Sequence, residues 1–410
     1  MKLKYFLFFA ITFNIISLFA LSDSISLGAN KDRTVFYSFK DGKIADIKND
    51  DWHLAFSTKP AQFPSNTLQS ATIRINEAYG VKLYEVPGKT PADFNQIDTT
   101  GWRNWDSLHD SDTSWWMGAL NRNINTADAF NYGWGQYNFN AHSVLGDSLF
   151  LLQLPNGSLK KFAVLKNEYD TAFIVQFANL DNSQNTTTKI SKKQYKTKNF
   201  VYLDLYTNSI LDREPTASSW DVEFSLFIEN DSKRKVGVLL NDKNSAMSES
   251  AMAPTPCLIG QTYDNKLNAM GTFWYGNEND TLQSVITDTH WKIKTNYANY
   301  DFNFSNVNSV TNTITFYYDM CQPALGIDEQ QSFETEMFPN PAQGIIYVKS
   351  GNSIDKIAIS NIAGQLIASI SPQGKNNIEV PLSDCPNGIY TVTFQSKEFG
   401  LISKRLVIAK

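Results

Sequence analysis

The chain has 410 residues, and its formal net charge is −5. Acidic and basic residues are spread along it, so it lacks the basic face that nucleic-acid binding needs, and no nucleic-acid partner is expected. Aromatic residues make up 13% of the chain and charged residues only 19%. This composition is typical of secreted β-structure, in which aromatic and β-branched residues pack on pleated faces between polar turns.

The N-terminus has the pattern of a secretory signal peptide. Lys2 and Lys4 precede an apolar run from Tyr5 to Ala20, and small residues follow it. This pattern predicts a signal peptide over residues 1–22 that is cleaved after Ser22. No later stretch reaches the ~20 apolar residues of a membrane helix, so no transmembrane segment is expected after cleavage.

Two stretches of the chain repeat one order of strands. Residues 35–39 lead through a turn to a Trp-His-Leu-Ala-Phe-Ser strand at 52–57. Residues 201–205 lead in the same way to Trp-Asp-Val-Glu-Phe-Ser at 220–225. Since strand side chains alternate between two faces, the Trp, aliphatic and Phe residues of each strand share a face, which we predict to be the core. The alternative is chance similarity between two β-sandwiches.

Each stretch also ends in three consecutive antiparallel strands. These are predicted at 149–154, 161–165 and 172–177, and again at 291–294, 300–304 and 313–318. The fold class is therefore predicted as all-β, with two tandem antiparallel β domains at 24–190 and 200–322. A polar linker at 323–336 precedes a third, small β-sandwich at 337–410.

The C-terminal segment carries a recognisable block pattern. It opens with Phe-Pro-Asn-Pro-Ala-Gln-Gly at 338–344, continues with Asn-Gly-Ile-Tyr at 387–390, and closes with a basic strand at 404–410. The segment resembles the type A C-terminal sorting domain of the type IX secretion system. That resemblance implies that the type IX machinery recognises residues 337–410. It also implies a protein secreted or held at the outer-membrane surface of a diderm bacterium, with the tag usually removed.

The repeated stretches resemble a second family. The Trp-x-aliphatic-x-Phe strands, Ile-Arg-Ile-Asn at 73–76 and the hairpin that begins at Asn156 are similar to the HmuY-like domain. That family is all-β and secreted, and its founding members are haemophores. This chain has Glu-Ala-Tyr-Gly at 77–80 where the family usually has a glycine pair.

The resemblance implies candidate haem ligands in the middle of the first domain. In haemophores of this family two histidines bind the iron axially, and His109 and His142 are the matching candidates, with Met117 as a substitute ligand. The alternative is that both are loop histidines beside packing aromatics. His53 and His290 are expected to be structural, and His53 is expected to face solvent.

The same region is rich in tryptophan, which supports a second hypothesis. An aromatic platform with amide and carboxylate neighbours would bind a glycan or a host protein without a cofactor. The predicted platform consists of Trp102, Trp105, Trp115, Trp116 and Trp134. Aromatic residues more often belong to a core, which is the simpler interpretation.

Other chemistry has little support in the sequence. Asp98, Asp106, Asp110 and Asp112 lack Ca²⁺-loop spacing, so a solvated acidic loop is predicted and no metal site. No catalytic motif is present, so a non-enzymatic ligand-binding protein is expected. Cys257 and Cys321 could form a disulfide in an oxidising compartment or be small buried residues.

Overall fold

The computed structural model describes residues 21–60, 68–168, 170–250, 263–271, 275, 285, 289–323, 335–350, 354–361, 366–372, 377–383, 385–396 and 400–410. Two compact units are present, Met1–Ala324 and Leu325–Lys410. Both are all-β as predicted, with only short 3₁₀ turns among the described residues. No helix in these ranges is long and apolar enough to cross a membrane. Residues 1–20 of the predicted signal peptide, Cys257 of the predicted disulfide and linker residues 324–334 lie outside the described residues.

The strands of the first unit follow one another in chain order. They are β1 Leu21–Ser26, β2 Arg33–Ser38, β3 Gly42–Lys48, β4 Leu54–Ser57, β5 Ile73–Ile75, β6 Lys82–Glu85, β7 Ser107–Leu108, β8 Gly135–Asn138, β9 Ser143–Gly146, β10 Phe150–Gln153, β11 Leu159–Asn167, β12 Ala172–Asn179, β13 Thr186–Ser191, β14 Phe200–Asp204, β15 Ser209–Leu211, β16 Val222–Glu229, β17 Lys233–Leu240, β18 Ser245–Ser250, β19 Thr289–Lys294, β20 Ala298–Asn308 and β21 Thr313–Pro323.

Sandwich A, as we name it, consists of β1–β3 and β16–β21. One sheet has the order β1-β21-β20-β19-β18 and the other β17-β16-β2-β3. Val222 and Phe224 alternate into the core between them, where they meet Trp291, Phe302 and Phe316. The predicted meander of β19, β20 and β21 is confirmed by its antiparallel pairing.

Sandwich B consists of β4–β15. Its larger sheet has the order β13-β12-β11-β10-β6-β7, with the β8–β9 hairpin attached to β11, and its smaller sheet has the order β15-β14-β4-β5. Leu54 and Phe56 alternate into a core that also contains Trp134, Phe162 and Phe173. The predicted meander of β10, β11 and β12 is confirmed.

The repeated strands pair reciprocally between the two copies. β2 of the first copy pairs with β16 of the second, and β4 of the first pairs with β14 of the second. The backbone N–H of His53 donates to Leu203 O at 2.9 Å, and the N–H of Asp221 at the corresponding position donates to Tyr37 O at 2.8 Å. The repeat is thus visible in matching hydrogen bonds around an approximate twofold relation.

This pairing corrects the predicted boundary between domains 24–190 and 200–322. Sandwich B, residues 54–211, is inserted between the first three strands of sandwich A and the remaining strands of that sandwich. The correction has a physical reason: alternation identifies a strand and its buried face, but the choice of partner strand depends on contacts that are distant in sequence.

The second unit is a small β-sandwich, as predicted, and its first strand begins at Thr335. Its strands are β22 Thr335–Phe338, β23 Ile345–Ser350, β24 Lys356–Asn361, β25 Leu366–Ile370, β26 Asn377–Pro381, β27 Gly388–Ser396 and β28 Gly400–Ile408. The sheets have the orders β22-β23-β26 and β25-β24-β27-β28. Ile346, Ile357 and Phe394 are fully buried between them.

Candidate functional site: a cleft between the sandwiches

A cleft of about 90 Å³ lies where the outer faces of β2 and β16 in sandwich A approach those of β4 and β14 in sandwich B. Glu223 stands opposite Phe36 in the β16–β2 pair, and Ala55 stands opposite Tyr202 in the β4–β14 pair. These two pairs occupy corresponding positions in the repeat, and all four residues line the cleft. The site therefore lies where corresponding strand pairs of the two copies face each other.

Aromatic rings and guanidinium groups alternate along the walls of the cleft. The Arg74 guanidinium lies 5.4 Å from the centre of the Trp115 ring. The Arg213 guanidinium contacts two rings, at 5.0 Å from Tyr202 and 5.8 Å from Trp52. Cation–π contacts of this kind are worth about 0.5–2 kcal/mol each and hold the rings in place.

Asp110 fixes the inner wall. Its carboxylate accepts the backbone N–H of Ala119 at 2.7 Å and that of Ile75 at 3.3 Å. Burial raises the pKa of Asp110, and the positive charge of Arg74 opposes that rise. Arg74 also donates to the carbonyl oxygens of Ser114 and Trp115. The prediction of a solvated acidic loop is therefore wrong at Asp110, whose oxygens serve the fold.

Glu223 is one of the three carboxylates that line the cleft, with Glu77 and Asp110. It lies on the outer face of β16 and is partly buried, and its equivalent in the other copy is Ala55. Burial raises the pKa of Glu223, while a hydrogen bond with Ser225 and the charges of Arg213 and Arg74 lower it. It accordingly faces the cleft between two cations, in a position to accept hydrogen bonds from a ligand.

A second buried acid supports the wall formed by β14. Glu214 accepts the N–H groups of Asn199 and Phe200 at 3.0 and 2.9 Å, and the Tyr202 hydroxyl donates to it at 3.2 Å. Burial raises the pKa of Glu214 to about 8. This acid therefore fixes the orientation of Tyr202, whose ring faces Arg213.

The structure places the predicted haem ligands outside the lining of the cleft. His109 has both ring nitrogens engaged: Nδ1 bonds to the Glu77 carboxylate and Nε2 lies 2.7 Å from Ser107 Oγ. An axial ligand needs one ring nitrogen free for iron. His142 lies in the exposed β8–β9 turn with φ of 47°. Neither histidine nor Met117 lines the cleft.

The predicted tryptophan platform is divided among three places. Trp134 is fully buried in sandwich B, where its Nε1 donates to Ala71 O at 2.8 Å. Trp102 and Trp105 pack around Tyr84 on the outer face of the large sheet of that sandwich. Trp115 and Trp116 lie where the two sandwiches meet, and of the five tryptophans only Trp115 lines the cleft. Neighbours in sequence reach different faces here because the segment folds as short loops.

Sequence reasoning also misplaced His53 and missed the charged lining of the cleft. His53 is buried with 1% exposure, accepts the N–H of Leu205 at 3.1 Å, and has a pKa lowered by burial. It lies before the first paired residue of β4, so alternation along that strand does not apply to it. The charged lining comes from three separate segments, which contribute Arg74, Arg213 and Glu223. The sequence held a signal for Glu223 alone, because alternation turns it away from the predicted core face of its strand.

The comparisons with known proteins identify the second unit. Residues 336–409 match the family model described as "Secretion system C-terminal sorting domain". No curated protein sequence matches the chain. Among solved structures the chain has a similarity to the crystal structure of dimeric latent PorU from Porphyromonas gingivalis, with a TM-score of 0.15 and 12% identity over 64% of this chain and 31% of that one. The chain thus spans about a third of the length of that protein. The C-terminal unit of the present chain is a type IX sorting domain, which directs the protein to the medium or the outer-membrane surface.

Proposed function

We propose that this exported protein is a surface or secreted binding module whose cleft takes the terminal sugar of a glycan, without a cofactor. The observation that carries the proposal is the composition of the cleft. Rings of Trp52, Trp115 and Tyr202 stand beside the carboxylate of Glu223 and the guanidinium of Arg213. Rings cover the apolar face of a sugar, and the charged groups exchange hydrogen bonds with its hydroxyls.

The size and charge of the cleft favour a small neutral group. Its volume of about 90 Å³ is far below the ~300–1,000 Å³ of sites that enclose a drug-sized molecule, so it accommodates only the end of a longer ligand. Arg74 and Arg213 face Glu77, Asp110 and Glu223 in the lining, so charges of both signs are present. A polyhydroxylated ligand can use donors and acceptors together, whereas an ion would meet repulsion from one set.

A glycan array tests this proposal on the full secreted chain. We expect binding to a restricted set of glycans that share one terminal sugar, and loss of that binding in Glu223→Gln, which removes the charge but keeps the shape. Glu229→Gln is the matched control, since it lies on the same strand and outside the cleft lining. Equal binding by wild type and Glu223→Gln, or no glycan binding by a folded protein, would overturn the proposal.

The haem hypothesis and the HmuY-like resemblance behind it rest on strand motifs and on His109 and His142. A haemin titration followed by absorbance separates the two functions. The glycan proposal predicts no saturable Soret shift. A saturable shift that a His109→Ala/His142→Ala variant loses would instead identify a haem carrier and displace the glycan proposal.

A further inference from the structure

Three side chains beside the cleft form a connected chain of hydrogen bonds. Ser107 Oγ lies 2.7 Å from His109 Nε2, and His109 Nδ1 bonds to Oε1 of Glu77. Ser107 is exposed, whereas the His109 and Glu77 side chains are 22% and 12% exposed. This is the order of hydroxyl, imidazole and carboxylate that activates a serine nucleophile.

The carboxylate is held so that it selects one tautomer of the imidazole. Oε2 of Glu77 accepts the backbone N–H of Asp110 at 3.3 Å, which leaves Oε1 for His109. An ionised Glu77 accepts the Nδ1–H, so the Nε2 lone pair points to the Ser107 hydroxyl. Burial and the charge of Asp110 raise the pKa of Glu77 to about 7, and the bond to His109 opposes that rise. The arrangement therefore favours proton acceptance by Nε2 when Glu77 is ionised.

The position of Ser107 leaves room for a substrate. β7 is the outermost strand of its sheet in the described residues, and Ser107 pairs with Tyr84 of β6. Ser107 thus shares the face of Tyr84, whose ring packs against Trp102 at 5.4 Å. Because N–H groups alternate in direction along an antiparallel strand, one of the N–H groups of Ser107 and Leu108 points to the open edge, where it can bond an oxyanion.

We propose that Ser107, His109 and Glu77 hydrolyse carboxylic esters with a small or aromatic acyl group. Ser107 Oγ bonds to the ester carbon as its proton passes to His109 Nε2, and the carbonyl electrons move to oxygen. When the carbonyl re-forms, the C–O bond to the alcohol breaks and the alkoxide takes the proton from Nε2. Water then repeats these steps on the acyl-serine and releases the acid. Ser107 and His109 are the catalytic residues, and Glu77 is a positioning residue.

The test combines a fluorophosphonate probe with hydrolysis of p-nitrophenyl acetate and benzoate by the full chain. Wild type is expected to be labelled at Ser107 and to release nitrophenol. Ser107→Ala is expected to lose labelling and at least ~10³-fold in kcat, as in other serine triads. Ser158→Ala, which replaces an exposed serine in a hairpin, is the matched control and should keep both the labelling and the kcat of wild type.

The Glu77→Gln variant distinguishes a positioning role of Glu77 from a purely structural one. It is expected to lower kcat strongly with little change in KM, since substrate contacts remain while the imidazole loses its partner. Absent labelling in folded wild type, or equal labelling of wild type and Ser107→Ala, would overturn the proposal. Ser107 does not line the cleft, so Ser107→Ala should keep any glycan binding, and the two proposals fail independently.

Discussion

The guanidinium Nε of Arg74 lies 3.5 Å from a carboxylate oxygen of Asp110 at the inner wall of the cleft. Both side chains are nearly buried, at 13% and 11% exposure. Through this pair the segment around Asp110 is joined to β5, and Arg74 is held against Trp115. The geometry of one wall of the cleft therefore depends on two charges that neutralise each other.

Asp110→Asn should destabilise the first unit by about 2–4 kcal/mol, because it leaves the buried charge of Arg74 without its partner and weakens two backbone hydrogen bonds. The measurement is urea unfolding followed by tryptophan fluorescence. Asp106→Asn, in the same segment but exposed, is the control and should unfold as wild type does. Similar unfolding midpoints for the two variants would contradict this account.

Gly118→Ala should both destabilise the protein and weaken ligand binding. A Cβ at this position would lie well inside contact distance of the Ile73 carbonyl, so the segment that carries Asp110 and Trp115 would move away from β5. We expect a loss of about 1–3 kcal/mol in the free energy of unfolding. Gly344→Ala has open space around its Cβ and serves as the control. Unchanged stability of Gly118→Ala would show that the close approach is not required.

Glu214 should make stability fall as pH rises. Its folded-state pKa is raised to about 8, whereas a glutamate in the unfolded chain titrates near its ordinary value of about 4.3. Between these values the folded state holds the extra proton, so stability is greatest below the lower pKa and declines through the upper one, by at most ~1.4 kcal/mol per pH unit. Unfolding free energies from pH 5 to 8 should decline less steeply in Glu214→Gln. Parallel profiles for variant and wild type would count against the assignment.

Lys192 should make stability rise with pH, opposite to the effect of Glu214. Burial lowers its pKa to about 7, and its Nζ donates to the Ser70 carbonyl beneath the Phe173 ring. The unfolded chain keeps this lysine protonated up to a pH of about 10.4, so stability should rise with pH above neutrality. In Lys192→Met that rise should disappear between pH 7 and 9.5. The exposed Lys193→Met variant should behave as wild type, and a rise that persists in Lys192→Met would refute the prediction.

The buried Trp134 and the surface Trp102 should respond differently to truncation. Trp134→Ala removes a fully buried ring and should cost about 3–5 kcal/mol. Trp102→Ala removes a partly exposed ring from the outer face of the sheet and should cost much less. Thermal unfolding followed by circular dichroism measures both. Comparable losses would mean that Trp134 is not the core residue that its contacts indicate.

The sequence predicted strands well and their partners poorly. The meanders of β10–β12 and β19–β21 follow from alternation and short turns, since consecutive strands of that kind usually pair. The reciprocal pairing of β2 with β16 and β4 with β14 joins residues far apart in sequence, and no local pattern records it. The sorting domain was predictable because its family is recognised by short sequence motifs, and this chain contains those motifs in order.

The candidate site was less predictable for a related reason. Tryptophan enrichment pointed to the segment from which Trp115 enters the cleft lining, but Trp134 has the same local composition and belongs to the core. The role of His109 is decided by Glu77, which approaches it from another segment, and the cleft carboxylate Glu223 comes from the second copy of the repeat. Tertiary contacts assign these roles, and composition does not contain them.

The most direct test of the glycan site is a crystal structure of the protein with the best glycan from the array. We expect a sugar ring in the cleft between Trp52 and Trp115, with a hydroxyl within hydrogen-bond distance of the Glu223 carboxylate. A sugar bound at Trp102 and Trp105 on the outer face of sandwich B, with the cleft holding only water, would contradict it.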